Sequence, residues 1–289
     1  MTDRSARLMK TAVFYFSGTG NTLFIARELS RLLDGELIPI ASTTGAERIA
    51  TDADAVGIVY PVYYGELPAI VKEFARKLDG LAGKYVFAVG NYGGSPGLSA
   101  ATLRKLLESG GGELAAFFGI HMPQNAFRKF WENNERIVLR SLKAVGKIAR
   151  VTRSGLRGVD RTGLFQRLII PLHGRFEPLY RKKMAQLTGE PEDADFDTMI
   201  RHSDRCFHTN GKCVGCRLCA KVCPVVNIKI KDGRPSWLGH CENCLACYNW
   251  CPEHAIDCAI PAKGYYYRNP KITAPDIMAQ KNGAELSKA

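Results

Sequence analysis

Short apolar runs rich in β-branched and aromatic residues recur along the N-terminal part of the chain, and each is followed by a stretch with helical spacing. Thr11–Phe16 (TAVFYF), Glu36–Ile40, Ala55–Tyr60 (AVGIVY), Tyr85–Gly90 (YVFAVG) and Leu114–Ile120 (LAAFFGI) read as strands. Thr22–Leu33, Ala69–Leu78 and Leu98–Glu108 read as helices between them. Strands that are apolar almost throughout, alternating with helices, predict a parallel sheet covered on both faces. Five strands joined by right-handed crossovers give a doubly wound α/β domain with strand order 2-1-3-4-5.

From Phe127 the pattern turns helical and basic. Arg136, Arg140, Lys143, Lys147 and Arg150 share one helix face, and Val138, Leu142, Val145 and Ala149 fall roughly opposite. Glycines and arginines at 155–163 break the pattern. The segment Phe127–Gln186 holds 15 Lys+Arg against 4 Asp+Glu, so nearly all of the net charge of +12 lies there. The basic pI therefore describes a patch. Two readings of the helix stand side by side: it closes the α/β domain with its charges in water, or its basic face docks an acidic ferredoxin, another low-potential donor or an anionic membrane surface. No base-reading motif or aromatic-rich basic groove accompanies the stripe, so nucleic acid is not expected.

Four segments follow: an α/β domain over 1–155, a basic helical connector over 156–203, a cysteine-rich domain over 204–262 and a polar tail over 263–289, expected to fray. The N-terminus lacks the apolar core of a signal peptide, and stretches such as Ala115–Phe118 and Leu168–Leu172 are too short to span a bilayer. A cytoplasmic protein is the expectation. Its thiols would then stay reduced, and ten cysteines point to metal or redox chemistry before disulfides.

All ten lie between Cys206 and Cys258, and eight form one pattern written twice. Cys213, Cys216, Cys219 and Cys223-Pro224 are matched by Cys241, Cys244, Cys247 and Cys251-Pro252, with similar tails PVVNI and PEHAI. Three thiolates in tight series can wrap one side of an iron–sulfur cubane, while the fourth, before proline, ligates the other cluster. Crossed ligation assigns Cys213, Cys216, Cys219 and Cys251 to one [4Fe–4S] cluster and Cys241, Cys244, Cys247 and Cys223 to a second. Structural zinc sites instead use separated Cys-x2-Cys knuckles. Cys206 and Cys258, outside both motifs, read as small packing residues, and His240 and His254 as polar neighbours. Residues Gly211–Ile260 resemble a bacterial two-cluster ferredoxin, which implies low-potential one-electron transfer.

Directly after the first strand stands Ser17-Gly18-Thr19-Gly20-Asn21-Thr22, opening a helix. Unpaired N–H groups, a positive dipole end and nearby hydroxyls suit a phosphate dianion there. The absence of lysine separates the loop from a Walker A motif, and its spacing from the dinucleotide pattern. Two further loops follow strands at the switch point: Pro61-Val62-Tyr63-Tyr64-Gly65 with Glu66, and Asn91-Tyr92-Gly93-Gly94. The sequence FSGTGNT resembles the FMN-phosphate loop of flavodoxins, over about Thr11–Met122. That resemblance makes Tyr63, Tyr64 and Tyr92 candidates for stacking on the flavin, with loop packing as their plain alternative, and lets the Asn91–Gly94 backbone approach the ring edge. His121, after the fifth strand, is either a proton donor or a structural residue.

The whole chain resembles the flavodoxin–ferredoxin fusion proteins of anaerobic bacteria and archaea, which implies FMN and two [4Fe–4S] clusters but no defined substrate. The expected function is a relay that couples one- and two-electron redox steps. The alternative is an FMN-dependent reductase of a small molecule such as a quinone or nitro compound, fed through the clusters.

Overall fold

The five apolar runs form parallel strands: β1 (Thr11–Tyr15), β2 (Glu36–Pro39), β3 (Ala55–Pro61), β4 (Tyr85–Tyr92) and β5 (Leu114–His121). The protein is seen here as a computed structural model that describes residues 9–128, 132–161 and 173–281. β1, β3 and β4 are buried along their whole length, because the helices α1 (Asn21–Leu33), α2 (Ala69–Lys77), α3 (Ser99–Ser109) and α4 (Asn134–Ser154) cover the sheet. Gly57 interrupts the apolar run of β3 for a packing reason: a Cβ there would stand 2.5 Å from the Phe87 ring.

The strand order is β2-β1-β3-β4-β5-β6, the expected 2-1-3-4-5 with one strand more. β6 (Val159–Arg161) pairs in parallel with β5, Ala116 opposite Val159, so the stretch read as connector contributes an edge strand. Only three residues long and mostly polar, it carries no apolar run to betray it.

α4 packs on α1 and β5 as the closing helix. Val138, Val145 and Ala149 are buried as expected, but Leu142 is exposed; Ile137, Ser141, Ile148 and Thr152 complete the inner face. Arg136, Arg140, Lys143, Lys147 and Arg150 all face water. The apolar stretch Leu168–Leu172 lies outside the described residues.

The cysteine-rich segment is a backbone duplication as well as a sequence one. Short helices at Leu218–Val222 and Ala246–Trp250 repeat at the motif offset of 28 residues (241 − 213). Left-handed conformations repeat at the same offset: Gly215 and Asn243, Arg217 and Leu245, Val226 and His254. Two small antiparallel ladders flank the helices, Ile228–Lys231 with Arg234–Trp237 and His208–Thr209 with Ile256–Asp257.

The core runs unbroken from the sheet into this segment. Val222, Cys244, Ala246, Trp250, Ile272 and Ile277 belong to the same buried cluster as the strands. The tail expected to fray is anchored as far as Lys281: Thr273 and Asp276 form a capping box, Arg27 pairs with Asp276 at 2.8 Å, and Gln280 is fully buried. Among the described residues no helix is long and apolar enough to cross a membrane.

Candidate cofactor-binding sites

The switch from β1 to α1 builds the phosphate loop. Gly20, with φ of 99°, makes a turn that a side chain would strain, and Ser17, Thr19, Asn21 and Thr22 are all buried. The Ser17 hydroxyl accepts from the Gly20 N–H at 3.2 Å, and Thr22 Oγ1 accepts from Asn91 Nδ2 at 2.6 Å. The backbone N–H groups of Gly18, Thr19, Asn21 and Thr22 donate to no described residue. Four unpaired donors in one buried turn at a helix start call for an acceptor, and a phosphate dianion supplies it. The residues therefore fit the phosphate end of FMN.

The ring loops are more selective. Tyr63 and Glu66 exchange backbone hydrogen bonds across a tight turn whose central residues, Tyr64 and Gly65, both have positive φ. That turn sends the two tyrosines apart. Tyr63 stays beside the phosphate loop, its hydroxyl 3.2 Å from where a Cβ on Gly18 would stand. Tyr64 turns away, packing edge-on against Tyr180 and Phe196 and accepting from Asn243 Nδ2 at 3.3 Å. Tyr92 is buried against Gly119 and His121. Tyr64 and Tyr92 thus have packing partners within the fold, and Tyr63 stands beside the phosphate loop.

Pro61 ends β3, and Val62 N–H donates to the Asn91 carbonyl, which joins the two ring loops. Gly97 also needs its missing Cβ, which would stand 2.2 Å from the Gly65 carbonyl oxygen. Gly94 is exposed, and Gly93 lies under the Gln124 side chain. His121 Nε2 is 3.2 Å from the Gly93 carbonyl oxygen and 3.1 Å from Glu132. Glu66 accepts from Thr102 Oγ1 at 2.8 Å and ties the first ring loop to α3.

The cysteines gather in two groups of four. Cys213, Cys216, Cys219 and Cys251 wall one pocket together with apolar neighbours such as Ile230 and Ile256. Cys223, Cys241, Cys244 and Cys247 are mutual electrostatic neighbours in a drier environment. Each group takes its fourth member from the other motif, the crossed arrangement. Burial pushes the thiol of Cys219 up to about 11 and that of Cys244 up to about 12.

Backbone amides point at sulfurs of both quartets: Asn243 N–H to Cys241 at 3.2 Å, Asn227 N–H to Cys223 at 3.2 Å and Ala255 N–H to Cys251 at 3.3 Å. Donors to sulfur are the usual means of tuning an iron–sulfur site. The two quartets fit iron–sulfur clusters. His240 Nε2 bonds the Val225 carbonyl oxygen at 3.1 Å and His254 packs on Tyr266, so both act as neighbours.

The two cofactor regions meet. A Cβ on Gly18 would stand 2.7 Å from the Cys244 carbonyl oxygen, and Trp250 Nε1 donates to the Gly18 carbonyl at 3.1 Å. Asn125 Nδ2 donates to the Cys244 carbonyl at 3.0 Å. Glu242, beside Cys241, accepts from the Ile70 N–H at the start of α2; burial raises its carboxyl to about 8.

The tail adds a second layer that sequence reasoning missed. Ser17 N–H donates to Gln280 Oε1 and Gln280 Nε2 donates back to the Ser17 carbonyl, both at 3.0 Å. Asn269 N–H donates to the Thr19 carbonyl, and the Tyr267 hydroxyl and Asn269 Nδ2 both donate to Asn21 Oδ1. Nothing in a polar C-terminal stretch marks these contacts in advance.

Comparison with known proteins agrees with this architecture. A family model for a flavodoxin domain matches residues 12–134, and one for a 4Fe–4S binding domain matches residues 209–229. The chain fits a flavodoxin–ferredoxin fusion. No curated protein sequence matches this chain. Solved structures align with about half of it. A candidate flavoprotein of Bacteroides eggerthii DSM 20697 is 24% identical over 48% of this chain and 98% of its own, with a TM-score of 0.32. Rubredoxin oxygen:oxidoreductase from the anaerobe Desulfovibrio gigas is 18% identical over 50% of this chain and 36% of its own, with a TM-score of 0.33. An FMN-dependent NADH-azoreductase from Bacillus anthracis str. Ames Ancestor is 11% identical over 50% of this chain and 99% of its own, with a TM-score of 0.35. The two matched domains support an iron–sulfur redox protein, and the flavodoxin domain suggests FMN.

Proposed function

We propose that the chain relays electrons between two [4Fe–4S] clusters, held by its eight motif cysteines, and FMN held by the flavodoxin domain. The observation that carries this reading is the seating of Cys244 directly on Gly18, beside the Tyr63 hydroxyl, which puts one cysteine quartet against the phosphate loop. Cys213, Cys216, Cys219 and Cys251 would hold one cluster, and Cys223, Cys241, Cys244 and Cys247 the other. The amides of Gly18, Thr19, Asn21 and Thr22 would hold the FMN phosphate, with Tyr63 and the Gly93–Gly94 backbone beside the ring. When bound, the clusters supply one-electron steps and FMN supplies two-electron chemistry.

The chain's own residues supply position and environment. Trp250 and Asn125 fasten the cysteine segment to the sheet edge by side-chain donors, and the shared core excludes water between them. Low dielectric there strengthens the effect of each amide aimed at a sulfur. We place the docking of an acidic redox partner on Arg136, Arg140, Lys143, Lys147 and Arg150, five exposed cations that no described carboxylate pairs.

Anaerobic reconstitution with iron, sulfide and FMN tests the reading. Expected are bound FMN and iron and sulfide equal to two cubanes per chain. Failure of FMN to bind, with the clusters in place, would end the relay reading and leave a ferredoxin-type carrier.

A further inference from the structure

Cys206 and Cys258 stand outside both motifs, yet the fold brings their sulfurs to 2.9 Å from each other. Cys206 closes the turn His202–Cys206, just before the strand His208–Thr209. Cys258 directly follows the strand Ile256–Asp257, which pairs antiparallel with it, Asp257 opposite His208. The ladder therefore fixes both cysteines at its end. The Cys206 thiol donates to the Ser203 carbonyl at 3.1 Å, and the Ile260 N–H donates to Cys258 Sγ at 3.4 Å, so each sulfur is held in its rotamer. Both are half-buried free thiols and remain within reach of solvent. Two cysteines that merely filled space would have no reason to meet. A disulfide needs about 2.05 Å between sulfurs, a further approach of roughly 0.9 Å.

We infer that Cys206 and Cys258 form a redox-active thiol–disulfide pair whose oxidant is a small-molecule disulfide of the glutathione class. The thiolate of one cysteine attacks the disulfide, forming a mixed disulfide and releasing one small thiol with its proton. The second cysteine attacks the protein sulfur of that adduct, giving the Cys206–Cys258 bond and a second small thiol. Two protein thiols are oxidised and one small disulfide is reduced to two thiols, so atoms and electrons balance. The pair spans 52 positions that contain all eight motif cysteines. Closing it turns that stretch into a covalent loop and restricts its unfolding.

The test uses the cluster-loaded, anaerobic full-length protein with oxidised glutathione as the probe. Cluster absorbance is followed, and peptides are mapped by mass spectrometry after denaturing alkylation. The expected result is a linked Cys206–Cys258 peptide, release of two glutathione thiols per chain, no glutathione left on the protein and undiminished cluster absorbance. Iron release to a chelator should then be several-fold slower than from the reduced protein. Cys206→Ser should instead hold a lasting glutathione adduct on Cys258; if that variant does not fold, the wild-type stoichiometry and peptide map decide. Recovery of both cysteines as free thiols, stable adducts on the wild-type protein, or a link that forms only after cluster absorbance is lost would overturn the assignment.

Discussion

The two cysteine quartets share one motif and one backbone but stand in different surroundings. In the first, Cys216 is exposed and Cys213, Cys219 and Cys251 are half-buried around a pocket at the surface. In the second, Cys223, Cys244 and Cys247 are buried, and Cys244 lies on the phosphate loop. A symmetric sequence repeat has become an asymmetric pair with an outer and an inner member. Burial and hydrogen bonding set the potential of such sites, so equal ligands here do not mean equal potentials. The outer quartet is open to the surface, and the inner one lies against the flavodoxin domain.

That asymmetry predicts unequal damage. Cys247→Ser should cost about half of the iron and lower the melting temperature of the whole protein, because the inner quartet belongs to packed interior and metal binding is coupled to folding. Cys216→Ser should lose a similar amount of iron with a much smaller change in melting temperature. Iron analysis with calorimetry on both variants checks the contrast, and equal shifts would break it.

Gly18→Val attacks the contact between the regions. Its Cβ would fall 2.7 Å from a backbone oxygen, so the cysteine segment must shift. Overpacking of this kind costs about 1–3 kcal/mol, and the melting temperature should fall by roughly 2–4 °C per kcal/mol. FMN affinity should fall with it, read by fluorescence titration. Gln280→Ala strips two hydrogen bonds from Ser17 and leaves a buried N–H and C=O unpaired, for a loss of about 1–3 kcal/mol. It should weaken FMN retention in a dialysis assay while leaving iron content unchanged. The smallest effect concerns the basic face: Arg140→Glu with Lys147→Glu should slow reduction by an acidic ferredoxin a few-fold at low salt, and the difference should vanish as ionic strength rises.

The fold was largely legible because its strands are apolar throughout and its cysteines are spaced by the chemistry they serve. β1 to β5 and α1 to α3 appear within a few residues of where the pattern puts them. β6 escaped because Val159–Arg161 offers one apolar residue, and pairing rather than burial makes it a strand. The direction in which Tyr64 points was not legible, because the sequence names the loop but not the sign of φ within it. Leu142 shows that helical spacing marks a face to within one position, not which residue at its margin is covered. Gln280, Asn269 and the Cys206–Cys258 pair were invisible for one reason: each acts on a partner far along the chain, and no spacing rule links them.

The most direct test of the outer-to-inner order is anaerobic stopped-flow reduction by a one-electron protein donor, with flavin absorbance as the readout, in wild type and Cys216→Ser matched for bound FMN. If electrons enter at the exposed quartet, the variant should keep its FMN while flavin bleaching slows by orders of magnitude. Bleaching at the wild-type rate would show that electrons reach the flavodoxin domain without the outer quartet, and would contradict that order.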